Sequence, residues 1–313
     1  MQSRLLPHGL AAVLLASVLV AAQDSNDARA RDALRAALTK TSKVEAIAFK
    51  SLETQDDALR RRLPIGGESE DTQVTGTVTG DVLAASIGFD DDNIVAARGR
   101  MLARRGDGEW KLRRSCLADG RPLPFVADPR LLVETLANLP DDALQVTHVE
   151  SGTVKDAEVR IYGFTVSGRV ADELGLTGAL PRATGGHMMM IFGGGGLAEP
   201  PRPEVSIDLA VSVDAESGYV VRVRSRSYTK SQLPGNVQVR FAGADGTELA
   251  EEEEVEAETP ADKDAPLQFR KGLPQRHLGK DTSLIEFDLA LSRHGEAKAP
   301  AVSEAGRKLL GLR

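Results

Sequence analysis

The chain has 313 residues, 41% of them hydrophobic and 27% charged, with a formal net charge of -7. These are the proportions of a globular protein with a real core. The acidic balance and an aromatic content of only 4% exclude the basic stripe and interleaved aromatics of a nucleic-acid binder.

Residues 1–22 read as a signal peptide. Arg4 supplies the positive start, Leu10 to Val20 is an almost unbroken apolar run, and Val20-Ala21-Ala22 offers small residues for cleavage before Gln23. The run is too short to span a bilayer comfortably. The expectation is an exported protein, soluble in the periplasm or cell envelope, with no stable membrane span. Removing the leader leaves roughly 290 residues, long but feasible for one domain built on a large sheet. The one cysteine, Cys116, excludes an internal disulfide. It lies far from the cleavage point, so it is not the acylated first residue of a lipoprotein, and it reads as a small buried side chain at a strand end.

Asp24 to Lys40 has helical spacing, with Ala30, Ala33, Leu34, Ala37 and Leu38 forming one narrow stripe that calls for a flat surface beneath it. Lys43–Thr54 follows as a first strand, then a polar loop through Arg60-Arg61-Arg62 and Pro64-Ile65-Gly66-Gly67. Short strands come next. Thr79-Gly80-Asp81 separates Gln73–Val78 from Val82–Phe89, and Ile94–Arg104 forms a further strand. Arg105-Gly106-Asp107-Gly108 turns into Trp110–Arg114, because Asp-Gly suits the positive φ of a hairpin turn.

Asp128-Pro129 opens a second helix, capped by Asp and pre-set by Pro. Leu131, Leu132, Thr135, Leu136 and Leu139 are its expected buried face, and Pro140 stops it. Strands resume at Leu144–Val149 and Glu158–Ser167, with a short helix around Val170–Gly175. A Gly/Met-rich loop, 185–198, then carries His187, Met188, Met189, Met190, Ile191 and Phe192 between glycines.

Val205 to Tyr228 reads as a hairpin. Val205, Ile207, Leu209, Val211 and Val213 alternate with polar or small residues up to a turn at Asp214–Gly218. Setting Val213 opposite Tyr219 puts Leu209 opposite Val223 and Asp208 opposite Arg224, with one face apolar and the other charged and wet. Further strands are expected at Val237–Phe241 and Leu284–Leu291. Between them lies an acidic insertion, 248–266, read as a solvated surface segment. One or two amphipathic turns are expected from Ser303 to Leu312.

Motifs for chemistry are few. The chain has no Gly-x-Ser-x-Gly elbow, no His-Glu-x-x-His pair and no phosphate loop. His187-Met188-Met189-Met190 offers copper-type ligands, but consecutive residues rarely face one ion. Asp90-Asp91-Asp92-Asn93 lacks the spaced ligands and Gly of a calcium loop. No catalytic residue, metal or cofactor is assigned.

The order of elements resembles the periplasmic outer-membrane lipoprotein carrier superfamily, with its mycobacterial lipoprotein relatives. Three features carry the resemblance: the hairpin from Ile207 to Arg222, the turn Gly106-Asp107-Gly108-Glu109-Trp110, and the ending Phe287 to Gly295 followed by Pro300 and Leu309-Leu310. It implies an α+β fold: a strongly curved antiparallel β-sheet, an open half-barrel, with helices packed on one face around an apolar cavity for acyl chains. Residues 23–295 would form this single domain and 296–313 a C-terminal tail. Val205, Ile207, Leu209, Val211 and Val213 then line the cavity or form plain core under a helix. Met188–Phe192 is expected as an adaptable lid. The partner expected is a lipid, an acyl chain or a lipidated protein, without catalysis. The alternative is an envelope sensor or scaffold that binds another protein through its sheet.

Overall fold

The computed structural model describes residues 27–56, 72–88, 92–98, 100–105, 108–113, 117–118, 121–122, 128–173, 204–230, 268–270, 272–276, 282–298 and 304–312. The signal peptide, the loop at Arg60–Gly67, Cys116, the Gly/Met segment 185–198, the strand expected at Val237–Phe241 and the acidic insertion 248–266 lie outside them.

Six strands follow the first helix, α1 (27–42): β1 (Ala46–Asp56), β2 (Thr72–Thr79), β3 (Val82–Ile87), β4 (Asp92–Ala97), β5 (Arg100–Arg105) and β6 (Lys111–Arg113). After the small pair β7 (Leu117–Ala118) and β8 (Arg121–Pro122) comes α2 (Pro129–Ala137). Then β9 (Val146–Val154), β10 (Ala157–Ser167), α3 (Gly168–Glu173), β11 (Glu204–Asp214) and β12 (Val220–Lys230) follow. The chain ends with β13 (Gln268–Arg270), β14 (Leu273–Gln275), β15 (Thr282–Ser292) and α4 (Glu304–Leu310).

Among the described residues, eleven strands form one antiparallel sheet in the order β6-β5-β4-β3-β2-β1-β15-β12-β11-β10-β9. Two meanders, β1–β6 and β9–β12, are thus joined by β15, which arrives last in the chain and pairs with β1 on one side and β12 on the other. The two end strands β6 and β9 do not meet, so the sheet is open. Ten strand spacings of about 4.8 Å would make a flat ribbon roughly 48 Å wide, and open sheets of this size curl. One apolar cluster follows the curl along a single face, from Ile94 and Ala103 on β4 and β5, through Phe49, Leu289, Val223 and Leu209, to Val146 on β9. The fold is α+β, a curved antiparallel half-barrel with helices on its inner face.

The helix α1 lays Leu34, Ala37 and Leu38 into that cluster. Ala33, expected in the stripe, is exposed, because at three to four residues per turn a stripe this narrow leaves its flank in solvent. Thr41 Oγ1, fully buried, donates to the Ala37 carbonyl (2.8 Å) and accepts from the Val220 amide (2.9 Å), pinning α1 to the start of β12. At the head of α2, the Asp128 carboxylate accepts from the Arg130 amide, 2.8 Å. The Arg130 guanidinium donates to the Gly80 carbonyl at 2.7 Å, tying α2 to the β2–β3 turn. Its buried face is Leu132, Val133, Leu136 and Ala137, with Leu139 just beyond. Leu131 is 51% exposed and Thr135 half-buried, so the face is turned from the expected one toward Val133.

Three further corrections come from turns and from what covers the sheet. Ile94–Arg104 is two strands, not one: Arg98 takes a positive φ of 50° at the end of β4, and Ala97 pairs with Arg100 as β5 runs back beside it. The β11–β12 hairpin pairs Val211 with Val223 and Leu209 with Ser225, two residues off the expected register. The turn closes with Val213 opposite Val220, one residue off, and a bulge at Ser212/Val213 adds the second, which places Asp208 opposite Arg226 and Arg224 opposite Ala210. A two-residue shift preserves the faces, so the apolar set stays inside. The outer face of β11 is not wet. Asp208, Ala210 and Ser212 are buried, because β14 crosses this part of the sheet and Leu273 joins Val159, Ile161 and Ala210 in a second apolar cluster.

The C-terminal α4 lies on the opposite face from α1–α3. Its Leu310 packs with Val95, Ala97 and Leu102, and Arg98 and Arg100 donate to the Gly311 and Leu309 carbonyls at its end, 2.8 and 3.0 Å.

Candidate functional site

The inner face changes character along the strands. Beneath α1 and α2 it is aliphatic: the row across β2, β1, β15, β12, β11 and β10 reads Val74, Ser51, Leu289, Val223, Val211 and Tyr162. One pleat further along β12, the row is Thr72, Glu53, Phe287, Ser225, Leu209 and Phe164. The next holds Ile285, Ser227, Ile207 and Val166, and the last Ser283, Thr229 and Val205. On β12 the inward positions therefore run Val, Ser, Ser, Thr, while β15 supplies Phe287 and Ile285 beside them.

Ser225 and Ser227 are each 2% exposed, and their hydroxyl oxygens have no hydrogen-bond partner among the described residues. Ile285 is 1% exposed and lies beyond the helix-backed cluster that includes Phe287 and Leu289. Glu53, half-buried on the far side of Phe287, has its carboxyl pushed above the ordinary value by loss of water, which disfavours the anion.

The expected site residues divide accordingly. Ile207, Leu209, Val211 and Val213 are buried in the main cluster, with Val205 half-buried against it, all on the inner face that α1–α3 back. Met188, Met189, Met190, Ile191 and Phe192 fall outside the described residues. They lie in sequence between α3 and β11. Sequence reasoning missed Ser225, Ser227, Phe287 and Glu53. The signal for the serines is their alternation with Arg222, Arg224 and Arg226. The expected register sets Val223 rather than Ser225 beside Leu209, yet keeps both serines on the inner face.

The outer face carries ion pairs instead. Arg222 holds Asp288 with two of its nitrogens, and Arg226 Nε donates to Glu286 at 2.6 Å. Arg276, just after β14, grips the fully buried Asp208 through Nε (2.8 Å) and a terminal nitrogen (2.7 Å), and Thr165 donates to the same carboxylate at 2.7 Å. The Arg276 guanidinium also lies 5.3 Å from the Tyr228 ring centre, and burial pushes that phenol up to about 12. At the strand ends nearest α1, Tyr219 and His294 stack with centroids 4.7 Å apart, and Lys40 sits 4.3 Å from the Tyr219 centroid. Among the described residues no three His, Cys, Asp or Glu side chains gather as a metal site, and no helix is long and apolar enough to cross a membrane.

No family model matches the chain, and no curated protein matches it. Among solved structures it is similar to LprF from Mycobacterium bovis (15% identity, 88% of this chain and 95% of that chain covered, TM-score 0.36). It is also similar to the Mycobacterium tuberculosis lipoprotein LppX (8%, 87% and 98%, TM-score 0.36). A third similar structure is a DUF1329 family protein from Desulfovibrio piger (10%, 89% and 95%, TM-score 0.26).

Proposed function

We propose that this chain is an exported, non-enzymatic protein that binds a hydrophobic ligand, namely a lipid, an acyl chain or a lipidated protein, against the inner face of its half-barrel. The observation that carries the reading is a mismatch of widths. The sheet is roughly 48 Å across its eleven strands, whereas α1 and α2 side by side cover roughly 20 Å and the six-residue α3 packs on β10 and β11 beside Val205. Both α1 and α2 are anchored at one end of the strands, at Val220 and Gly80. Phe287, Ile285, Ile207 and Val205 continue the apolar surface toward the other end, a broad wall of the kind that ligand sites use. Binding needs only such a wall and a way in, and no catalytic group.

Native mass spectrometry of the purified chain, followed by organic extraction, tests this. A co-purifying lipid, or saturable uptake of a fluorescent fatty acid, is the expected result. A chain that carries no extractable lipid and takes up no fluorescent acyl probe overturns the reading.

A further inference from the structure

We infer that Ser225 and Ser227 form a hydrogen-bonding subsite on the inner face. It receives the neutral polar end, ester or hydroxyl, of an acyl lipid whose apolar part lies on Phe287 and Ile285. This rests on the hydrophobic-ligand reading above and adds the ligand's polar chemistry to it.

The starting point is that two hydroxyls on one strand are withdrawn from water with nothing bonded to them. Leaving a buried hydroxyl unpaired costs roughly 1–3 kcal/mol, and alanine or valine would avoid that cost at both positions. Folding alone therefore gives no reason for these residues, whereas a ligand atom bonded to each of them does. Their geometry narrows the ligand. Positions i and i+2 of a strand point the same way, roughly 7 Å apart, which matches polar oxygens spread over an esterified polyol rather than a single compact group. Each hydroxyl both donates and accepts, so it pairs equally with an ester carbonyl or an alcohol.

Charge narrows it further. In the rows of Ser225 and Ser227, Glu53 is the single ionisable residue that the register places on the inner face among the described residues. Among the described residues no cation stands in these rows to receive a phosphate or a carboxylate, and the Glu53 carboxyl at the same level would repel an anion once ionised. Arg222, Arg224 and Arg226 alternate with the serines and so face the other side of the sheet. A neutral headgroup fits this environment and an anionic one does not.

Binding is measured with two fluorescent probes, a labelled monoacylglycerol that bears ester and hydroxyl groups and diphenylhexatriene, which bears no polar group. In the parent chain both bind. In S225A/S227A the ratio of monoacylglycerol affinity to diphenylhexatriene affinity falls roughly tenfold, the loss expected of two neutral hydrogen bonds. S225T/S227T, which keeps both hydroxyls on β-branched residues suited to a strand, restores the ratio and controls for a folding defect. If S225A/S227A leaves the ratio unchanged, the polar subsite is wrong while the apolar reading stands. If the parent chain binds neither probe, the hydrophobic-ligand reading falls and the subsite falls with it. A labelled phosphatidic acid that outcompetes the monoacylglycerol overturns the neutral-headgroup assignment.

Discussion

Asp208, with no exposed surface, is held by Arg276 through two charge-assisted bonds of 2.8 and 2.7 Å that reach across from the separate β13–β14 hairpin. The pair fastens that hairpin to the outer face of β11. A buried carboxylate stripped of its cation is a large liability. R276A is therefore expected to destabilise the chain by about 2–4 kcal/mol, the lower part of that range reflecting partial exposure of the arginine. D208N/R276Q is expected to recover part of the loss, since it removes the uncompensated charge. Urea unfolding midpoints check both, and equal stability of R276A and the parent chain refutes the role of the clamp.

The same hairpin depends on a close approach at Gly163. A Cβ there would collide with the Gly272 carbonyl oxygen, and Gly272 itself has a positive φ of 77° and sits against Ile161 and Ala210. G163A is expected to displace the β13–β14 turn and cost about 1–3 kcal/mol. Faster proteolysis near Gly272, read by mass spectrometry of the fragments, would accompany it. An unchanged melting curve and cleavage pattern count against the contact.

His294 predicts a pH dependence. Burial against Tyr219 lowers its affinity for a proton below the ordinary imidazole value, outweighing the Val220 carbonyl and Asp214, which act the other way. The Val220 carbonyl can only accept, so the ring carries its proton on Nε2, 3.0 Å away. A depressed histidine means that the unfolded chain binds more protons between the folded value and the ordinary imidazole value of 6.5. Stability is thus fully present above 6.5 and is lost as the pH falls toward the folded value. H294Q should shrink the stability difference between about pH 5 and about pH 7.5. An H294Q chain with the same pH profile as the parent excludes this histidine as a contributor.

Glu53 has the opposite sign. Its folded value is raised from 4.5 by burial, so its contribution is present below 4.5 and is lost as the pH rises through the higher folded value. E53Q, neutral at every pH, should be more stable than the parent at neutral pH and no more stable near pH 4. Thermal melts at the two pH values decide it. A variant that gains nothing at neutral pH places the carboxyl in contact with water.

Much of the architecture was legible in the sequence because it depends on local chemistry and on periodicity. Asp128-Pro129 announced α2, and Gly80 marked the first β-turn with its positive φ of 54°. The alternation from Val205 to Val213 assigned an inner face that the structure keeps. The open antiparallel half-barrel with helices on one face was expected from the resemblance to the lipoprotein carrier superfamily rather than from the residues alone. The inner-face hydroxyls were harder to see. Alternation with Arg222, Arg224 and Arg226 puts Ser225 and Ser227 on the inner face in either register, but only the folded chain shows that, among the described residues, their buried hydroxyls have no partner.

Sequence patterning thus determined where most of the strands lie and that the Val205–Val213 side of β11 faces inward, since both follow from a period of two and from turn residues a few positions apart. Tertiary structure alone decided three things: that β15 joins the two meanders, that β13–β14 covers Asp208, and that the turn at Val213/Val220 and the bulge at Ser212/Val213 together offset the hairpin by two. Each depends on contacts between residues distant in the chain or on single extra backbone residues at a turn and a bulge. A two-residue shift leaves every side chain on its original face, so no hydrophobic pattern can report it.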